Sequence, residues 1–125
     1  MEEIFMSKKF AAFLAVIVLA VGFGLVNADQ NAGSWTGEIV DVACHVSKGA
    51  TGASHADCGS KCVKAGLPVG LLVGDTTYIL VSADHKPMND ALAPHVGHTV
   101  VVTGTKFEKP GSNLIAVKDF KMAAK

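Results

Sequence analysis

Five short runs of β-forming residues, separated by turn signals, constrain this 125-residue chain more than any other feature. The runs are rich in Val, Ile, Thr and aromatic residues, as strands of a half-buried sheet are. They cover residues 34–42, 69–73, 76–82, 98–105 and 114–120. Gly74 and Asp75 between the second and third runs predict a hairpin. Residues 108–112 predict a second turn, and the tail from Lys121 is expected to be frayed.

A short helical pattern lies between the third and fourth runs, at residues 88–96. Leu92 and Val96 have the i, i+4 spacing of a helix, while Pro94 predicts that this helix is broken or very short. Five strands with a helix between the third and fourth is the order of the OB-fold, a partly open Greek-key barrel. The sequence therefore predicts a mostly β, OB-fold-like domain.

Residues 92–104 also carry the pattern L-x-x-x-x-G-x-x-V-x-V-x-G. This pattern resembles the step into the fourth strand of small exported bacterial OB-fold proteins. The resemblance implies a barrel and says little about function, because the OB-fold hosts many unrelated sites.

An insertion at residues 43–68, between the first and second strands, contains most of the chemically reactive side chains. It holds all three cysteines and two of the five histidines: Cys44, Cys58, Cys62, His45 and His55. Ser54 followed by Asp57 predicts the start of a helix, and Gly66 predicts its end about three turns later. Residues 55, 58 and 62 would share one face of that helix, so an imidazole and two thiols would lie together.

Thiolates together with an imidazole are typical ligands of Cu(I), zinc and iron–sulfur clusters. Three cysteines and one histidine complete a tetrahedral zinc site, whereas two or three thiolates alone suit Cu(I). The first hypothesis is a metal-binding protein, copper slightly ahead of zinc, that acts in metal handling or sensing rather than catalysis. The candidate ligands are Cys44, His55, Cys58, Cys62 and His45.

A disulfide is the second interpretation of the cysteines. Cys44 could pair with Cys58 or Cys62 in an oxidising compartment, and the barrel would then be a stapled binding module for a small molecule, a glycan or a protein partner. A pair between Cys58 and Cys62 is less favourable, because adjacent helical turns do not aim their Cβ atoms at each other. A thiol-redox protein is the third interpretation, although the usual C-x-x-C is missing.

Residues 37–72 contain the pattern G-x-I-V-D-x-x-C followed by H-x-x-C-x-x-x-C-x-x-x-G-x-P-x-G-L-L. The pattern is similar to that of uncharacterised exported bacterial proteins with a small OB-fold-like domain. The resemblance implies that His55 belongs with the cysteines as one unit. The position of His45 is often aromatic in that group, so His45 ranks below His55. Asp41 either orients a ligand imidazole or simply ends the first strand.

The N-terminal residues 1–28 have the features of a secretory signal peptide. Lys8 and Lys9 precede an apolar run at residues 10–26, and Ala28 ends a small-residue cleavage site. Cleavage would leave the domain at residues 29–125 in the periplasm or outside the cell, with no membrane segment. A retained anchor is the alternative, but the run is shorter than the ~20 apolar residues that a span needs.

Charge argues against nucleic acid as a partner. The formal net charge is zero and all eleven basic residues are lysines, so arginine is missing from the sequence. Binding to a phosphate backbone needs clustered cations. A metal ion and a protein are therefore the partners that the sequence favours.

Overall fold

The computed structural model describes residues 31–124, and the predicted signal peptide at residues 1–28 lies outside them. The strands are β1 (Ala32–Asp41), β2 (Val69–Val73), β3 (Thr76–Ser82), β4 (Thr99–Lys109) and β5 (Ser112–Met122). The helices are α1 (Val42–Lys48), α2 (Ala56–Lys64) and α3 (Asn89–Leu92). Short 3-10 turns occur at Ala53–His55 and Ala93–His95. Among these helices none is long and apolar enough to cross a membrane.

The five strands form a closed barrel in the order β1-β2-β3-β5-β4, with β4 returning to β1. Neighbouring strands are antiparallel except β3 and β5, which run parallel. Together with the helix between β3 and β4, this topology is OB-fold-like, as the order of the sequence runs predicted.

The core of the barrel consists of alternate side chains from every strand. Its fully buried members include Ile39, Leu71, Val100, Val102 and Ile115. Burial of each such aliphatic side chain contributes about 1.5–3 kcal/mol relative to exposure. Leu92 of α3 and Val63 of α2 join the same cluster, so both helices are anchored in the barrel core.

Strand β1 closes the barrel because it pairs with two partners. Its residues 32–38 pair with β4, and its residues 38–41 pair with β2. Gly37 lies where the partner changes, and a Cβ there would lie 2.3 Å from the Leu72 carbonyl oxygen. A register shift in the pairing of β4 with β5 lies between Thr103 and Gly104.

Three sequence predictions are wrong in detail. Val42 was predicted as the last residue of the first strand, but residues 42–48 form helix α1. The predicted helix after Ser54 is split into a 3-10 turn and α2, and its N-cap is His55, which makes no side-chain cap. The tail is not frayed at Lys121, because β5 continues to Met122. The short, broken helix before β4 is confirmed.

Gly37→Ala is expected to lower the free energy of unfolding by about 1–3 kcal/mol, because the new methyl group would force β1 and β2 apart. Gly33→Ala is the matched control in the same strand. Its Cβ would meet only the Trp35 ring, at 3.2 Å, and we expect a change within about 1 kcal/mol. Urea unfolding of both variants measures the difference. Equal midpoints would show that the β1–β2 approach at Gly37 is not tight.

Candidate metal centre

Asp41 lies at the junction between the barrel and the insertion. It is the last residue of β1, opposite Val69, and it is also the N-cap of α1. Its Oδ1 accepts a hydrogen bond of 3.1 Å from the Ala43 N–H. Asp41 is only 1% exposed, and it is the one buried charged residue among residues 31–124.

Helix α1 brings the first cysteine back toward this carboxylate. The helix begins directly after the Asp41 cap and ends at Gly49, whose φ of 70° is left-handed. Cys44 lies three residues after Asp41, and this spacing returns its side chain to the same side of the helix. Cys44 is therefore half-buried beside Asp41.

A clamped loop presents His55 to Asp41 from the other direction. Both carboxylate oxygens of Glu38 accept the Gly52 N–H, each at 3.0 Å. The Gly52 carbonyl in turn accepts the His55 N–H at 3.1 Å. These bonds hold the 3-10 turn against β1, with His55 Nε2 4.0 Å from Asp41 Oδ2.

Helix α2 packs closely on the barrel and on His55. Val63 is fully buried in the core. A Cβ at Gly59 would lie 2.6 Å from Val96 and 3.2 Å from the His55 ring, so only glycine allows this approach. The Asn89 side chain donates hydrogen bonds to the carbonyls of Val63 and Leu67, at 2.8 and 2.7 Å. The orientation of α2 is thus fixed along its length.

Three possible ligand atoms converge at this point. A carboxylate oxygen of Asp41, Sγ of Cys44 and a ring nitrogen of His55 all lie within 4.8 Å of one another. Asp41 Oδ2 and His55 Nε2 are buried and have no hydrogen-bond partner among residues 31–124. Buried polar atoms are rarely left unpaired, because losing water without a replacement partner costs free energy. Asp41, Cys44 and His55 form a group that could hold a metal ion.

The thiols around Asp41 are held in their protonated form. Hydrogen bonding to Asp41, then burial, then the negative charge of Asp41 raise the pKa of Cys44 from 9.0 to about 11. Burial, followed by the charges of Asp41 and Cys58, also raises the pKa of Cys62. All three cysteines are free in the structure.

The structure separates the five predicted ligands into two sets. Cys44 and His55 belong to the group around Asp41, and Cys62 is half-buried within reach of the Asp41 charge. Cys58 is exposed on α2. His45 lies outside the group, since its Nδ1 lies 3.3 Å from the Ala50 carbonyl oxygen instead.

Asp41 is the member of the group that sequence reasoning did not place among the ligands. It was considered only as a residue that orients an imidazole or ends a strand. A usable signal was present, because Asp is a favoured N-cap and Cys44 follows it at helical spacing. The signal was missed because residues 41–45 were not recognised as the start of a helix.

No protein-family model, curated protein or solved structure matches the chain. The class of the protein therefore rests on its own geometry: an OB-fold-like barrel with an Asp/Cys/His group at the end of β1. The resemblance of residues 37–72 to small exported bacterial proteins stays a prediction.

Asp41→Asn is expected to move the pKa of Cys44 down toward 9.0, because the negative charge is removed while the helix cap is kept. In a Cys58→Ser/Cys62→Ser background, alkylation of Cys44 at pH 8 should then be about tenfold faster; the thiolate fraction rises more than its nucleophilicity falls. Asp57→Asn, another carboxylate of the insertion, is the control and should change nothing. Equal rates in the two variants would contradict the contact between Asp41 and Cys44.

The same pKa shift predicts a loss of stability in alkali. The pKa of Cys44 is higher in the folded protein than its ordinary value of 9.0, so ionisation of the thiol disfavours the fold. Its contribution to the free energy of unfolding is complete below pH 9.0 and is lost as the pH rises through about 11. Urea midpoints of the wild type and Cys44→Ser should therefore converge over this interval.

Proposed function

We propose that the protein binds a transition-metal ion through Asp41, Cys44 and His55, with Cys62 as the fourth donor, and that it acts in metal handling or sensing. The observation that carries the proposal is the pair of buried, unpartnered atoms, Asp41 Oδ2 and His55 Nε2, 4.0 Å apart. This separation is too long for a hydrogen bond between them. A cation between the two atoms would satisfy both.

The donor set favours zinc over copper. Carboxylate oxygen, imidazole nitrogen and thiolate sulfur are the three ligand types that zinc accepts in tetrahedral sites. Soft thiolate and thioether ligands select Cu(I), whereas carboxylate oxygen suits harder ions. The sequence alone placed copper slightly ahead of zinc, and the carboxylate of Asp41 supports zinc instead.

The raised pKa values argue against thiol chemistry as the main function. A redox or nucleophilic cysteine needs a stabilised thiolate, usually beside a cation or a helix N-terminus that lowers its pKa. Cys44 does lie in the first turn of α1, yet hydrogen bonding to Asp41, followed by burial, raises its pKa. Burial, followed by the charge of Asp41, raises the pKa of Cys62 as well. A metal ion supplies the positive charge that would convert these thiols into thiolates.

Export is part of the proposal and is supported by the sequence alone. Lys8 and Lys9, the apolar run that follows them and the site at Ala28 are the features of a signal peptide. In the periplasm or outside the cell, three free cysteines are exposed to oxidation. A bound metal ion would protect the two cysteines that hold it, Cys44 and Cys62, from disulfide formation.

His55→Gln is expected to lower the zinc affinity by more than about tenfold, since it removes a ligand rather than a supporting contact. His45→Gln is the matched control, a histidine of the same insertion that points to Ala50, and it should keep the wild-type affinity. Competition with a chromogenic zinc chelator measures both, with cuprous ion in a parallel titration. If both variants lose zinc affinity equally, or if the wild type binds no zinc, then His55 and Asp41 are a structural ion pair and not part of a metal site.

Zinc binding is also expected to release protons. Because the pKa of Cys44 is about 11, this thiol is protonated at neutral pH and must lose its proton to bind metal. The apparent affinity should rise with pH, by about tenfold per unit for each thiol proton displaced. Calorimetry in two buffers of different ionisation enthalpy counts the protons. Fewer than one proton per zinc would show that Cys44 is not a ligand.

A further inference from the structure

Cys58 is the one cysteine without a role in the proposed metal site, which consists of Asp41, Cys44, His55 and Cys62. It is exposed on α2, whereas Cys44 and Cys62 are half-buried. It lies one turn before Cys62, and residues at i and i+4 are neighbours on the same face of a helix. The exposed thiol of Cys58 is thus adjacent to the half-buried thiol of Cys62, whose pKa is raised by burial and then by the charge of Asp41.

The three thiols form a graded path from solvent to Asp41. Cys58 is exposed, Cys62 is half-buried one turn further along α2, and Cys44 Sγ lies within 4.8 Å of a carboxylate oxygen of Asp41. Burial, followed by the charge of Asp41, raises the pKa of Cys62, as expected for a thiol near the carboxylate. The inner end of the path is Asp41, which is 1% exposed and whose Oδ2 has no hydrogen-bond partner among residues 31–124. The helix that carries Cys58 and Cys62 is fixed by Val63 and Asn89, so their order from outside to inside is fixed as well.

We propose that Cys58 is a transfer ligand, through which the site exchanges its metal ion with a donor or acceptor that holds the ion by thiolates. The proposal rests on the proposed metal site and adds the chemical class of the exchange partner. A thiolate carrier can bind the exposed Cys58 sulfur directly, whereas Cys44, His55 and Cys62 are only partly exposed and Asp41 is buried.

The exchange needs no oxidant or reductant. Cys58 loses its proton to solvent, and its thiolate binds the zinc ion while the donor still holds it. A donor thiolate then leaves and takes up a proton. The ion passes to Cys62 and to the inner donors, their thiols release protons, and the Cys58 sulfur is protonated again. The reverse sequence delivers the ion to an acceptor.

Zinc release from the loaded protein tests the proposal. Stopped-flow absorbance follows transfer to a chromogenic chelator, with and without dithiothreitol as the thiolate carrier. Wild type, Cys58→Ser and the control Asp57→Asn are compared, and the equilibrium zinc affinity of each is measured separately. We expect the dithiol to accelerate release from wild type and Asp57→Asn by about tenfold or more, an effect of about 1.4 kcal/mol on the barrier. Cys58→Ser should lose this acceleration, with an unchanged affinity and an unchanged rate without the dithiol.

The other outcomes show whether the transfer role of Cys58 fails alone or together with the proposed metal site. If the dithiol accelerates release from Cys58→Ser as strongly as from wild type, the transfer role is wrong and the metal site stands. If Cys58→Ser loses affinity by more than about tenfold, Cys58 is a resident ligand and the transfer role is again wrong. If the wild type holds no zinc, the proposed function fails, and the transfer role fails with it.

Discussion

The burial of one carboxylate, that of Asp41, is the constraint on which the site depends. Taking an isolated charge out of water costs several kcal/mol unless nearby groups compensate. One oxygen is compensated by the start of α1, through the Ala43 N–H and the positive end of the helix dipole. The other oxygen faces His55 at a distance that gives no hydrogen bond. The start of α1, the loop that carries His55 and the thiol of Cys44 all lie close to this one carboxylate.

The barrel could be predicted from sequence because its strand ends are marked by local signals. Strands β2 and β3 have the predicted bounds, with Pro68 before the first and Gly74 and Asp75 between them. Strand β4 is longer than predicted, because its last four residues pair with β5 although they lack β-branched side chains. Pairing, which is a tertiary effect, sets that boundary where propensity does not.

Helix α1 was not predicted, although its cap signals are present. Val42 closely follows Ile39 and Val40 in the sequence, so it was assigned to the same β-rich run as β1. A helix of seven residues is too short for a helical period to stand out from that run. The decisive signals were Asp41 at the N-cap and Gly49 at the C-terminal end, where a left-handed φ is required.

The sequence could predict only some residues of the site. Helical spacing shows which residues share a face of a helix, but it does not show how deeply that face is buried. Cys58 and Cys62 do share a face of α2, as predicted. Gly59 and Val63 turn a neighbouring face into the barrel, and this leaves Cys62 half-buried and Cys58 exposed. His55 reaches the group from a 3-10 turn rather than from the helix, held by Glu38 through Gly52. Such a contact between distant segments has no local sequence signal.

The position of the site on the barrel distinguishes it from metal sites that hold a fold together. The core cluster runs from Ile39 through Leu71 to Val63 and Leu92 without using the cysteines. Small zinc domains, in contrast, are unfolded without their metal because they lack such a core. An ion at Asp41 would bind a fold that is already formed, and it would have to displace protons from thiols with raised pKa values. Both conditions would make the binding that we propose reversible and dependent on pH.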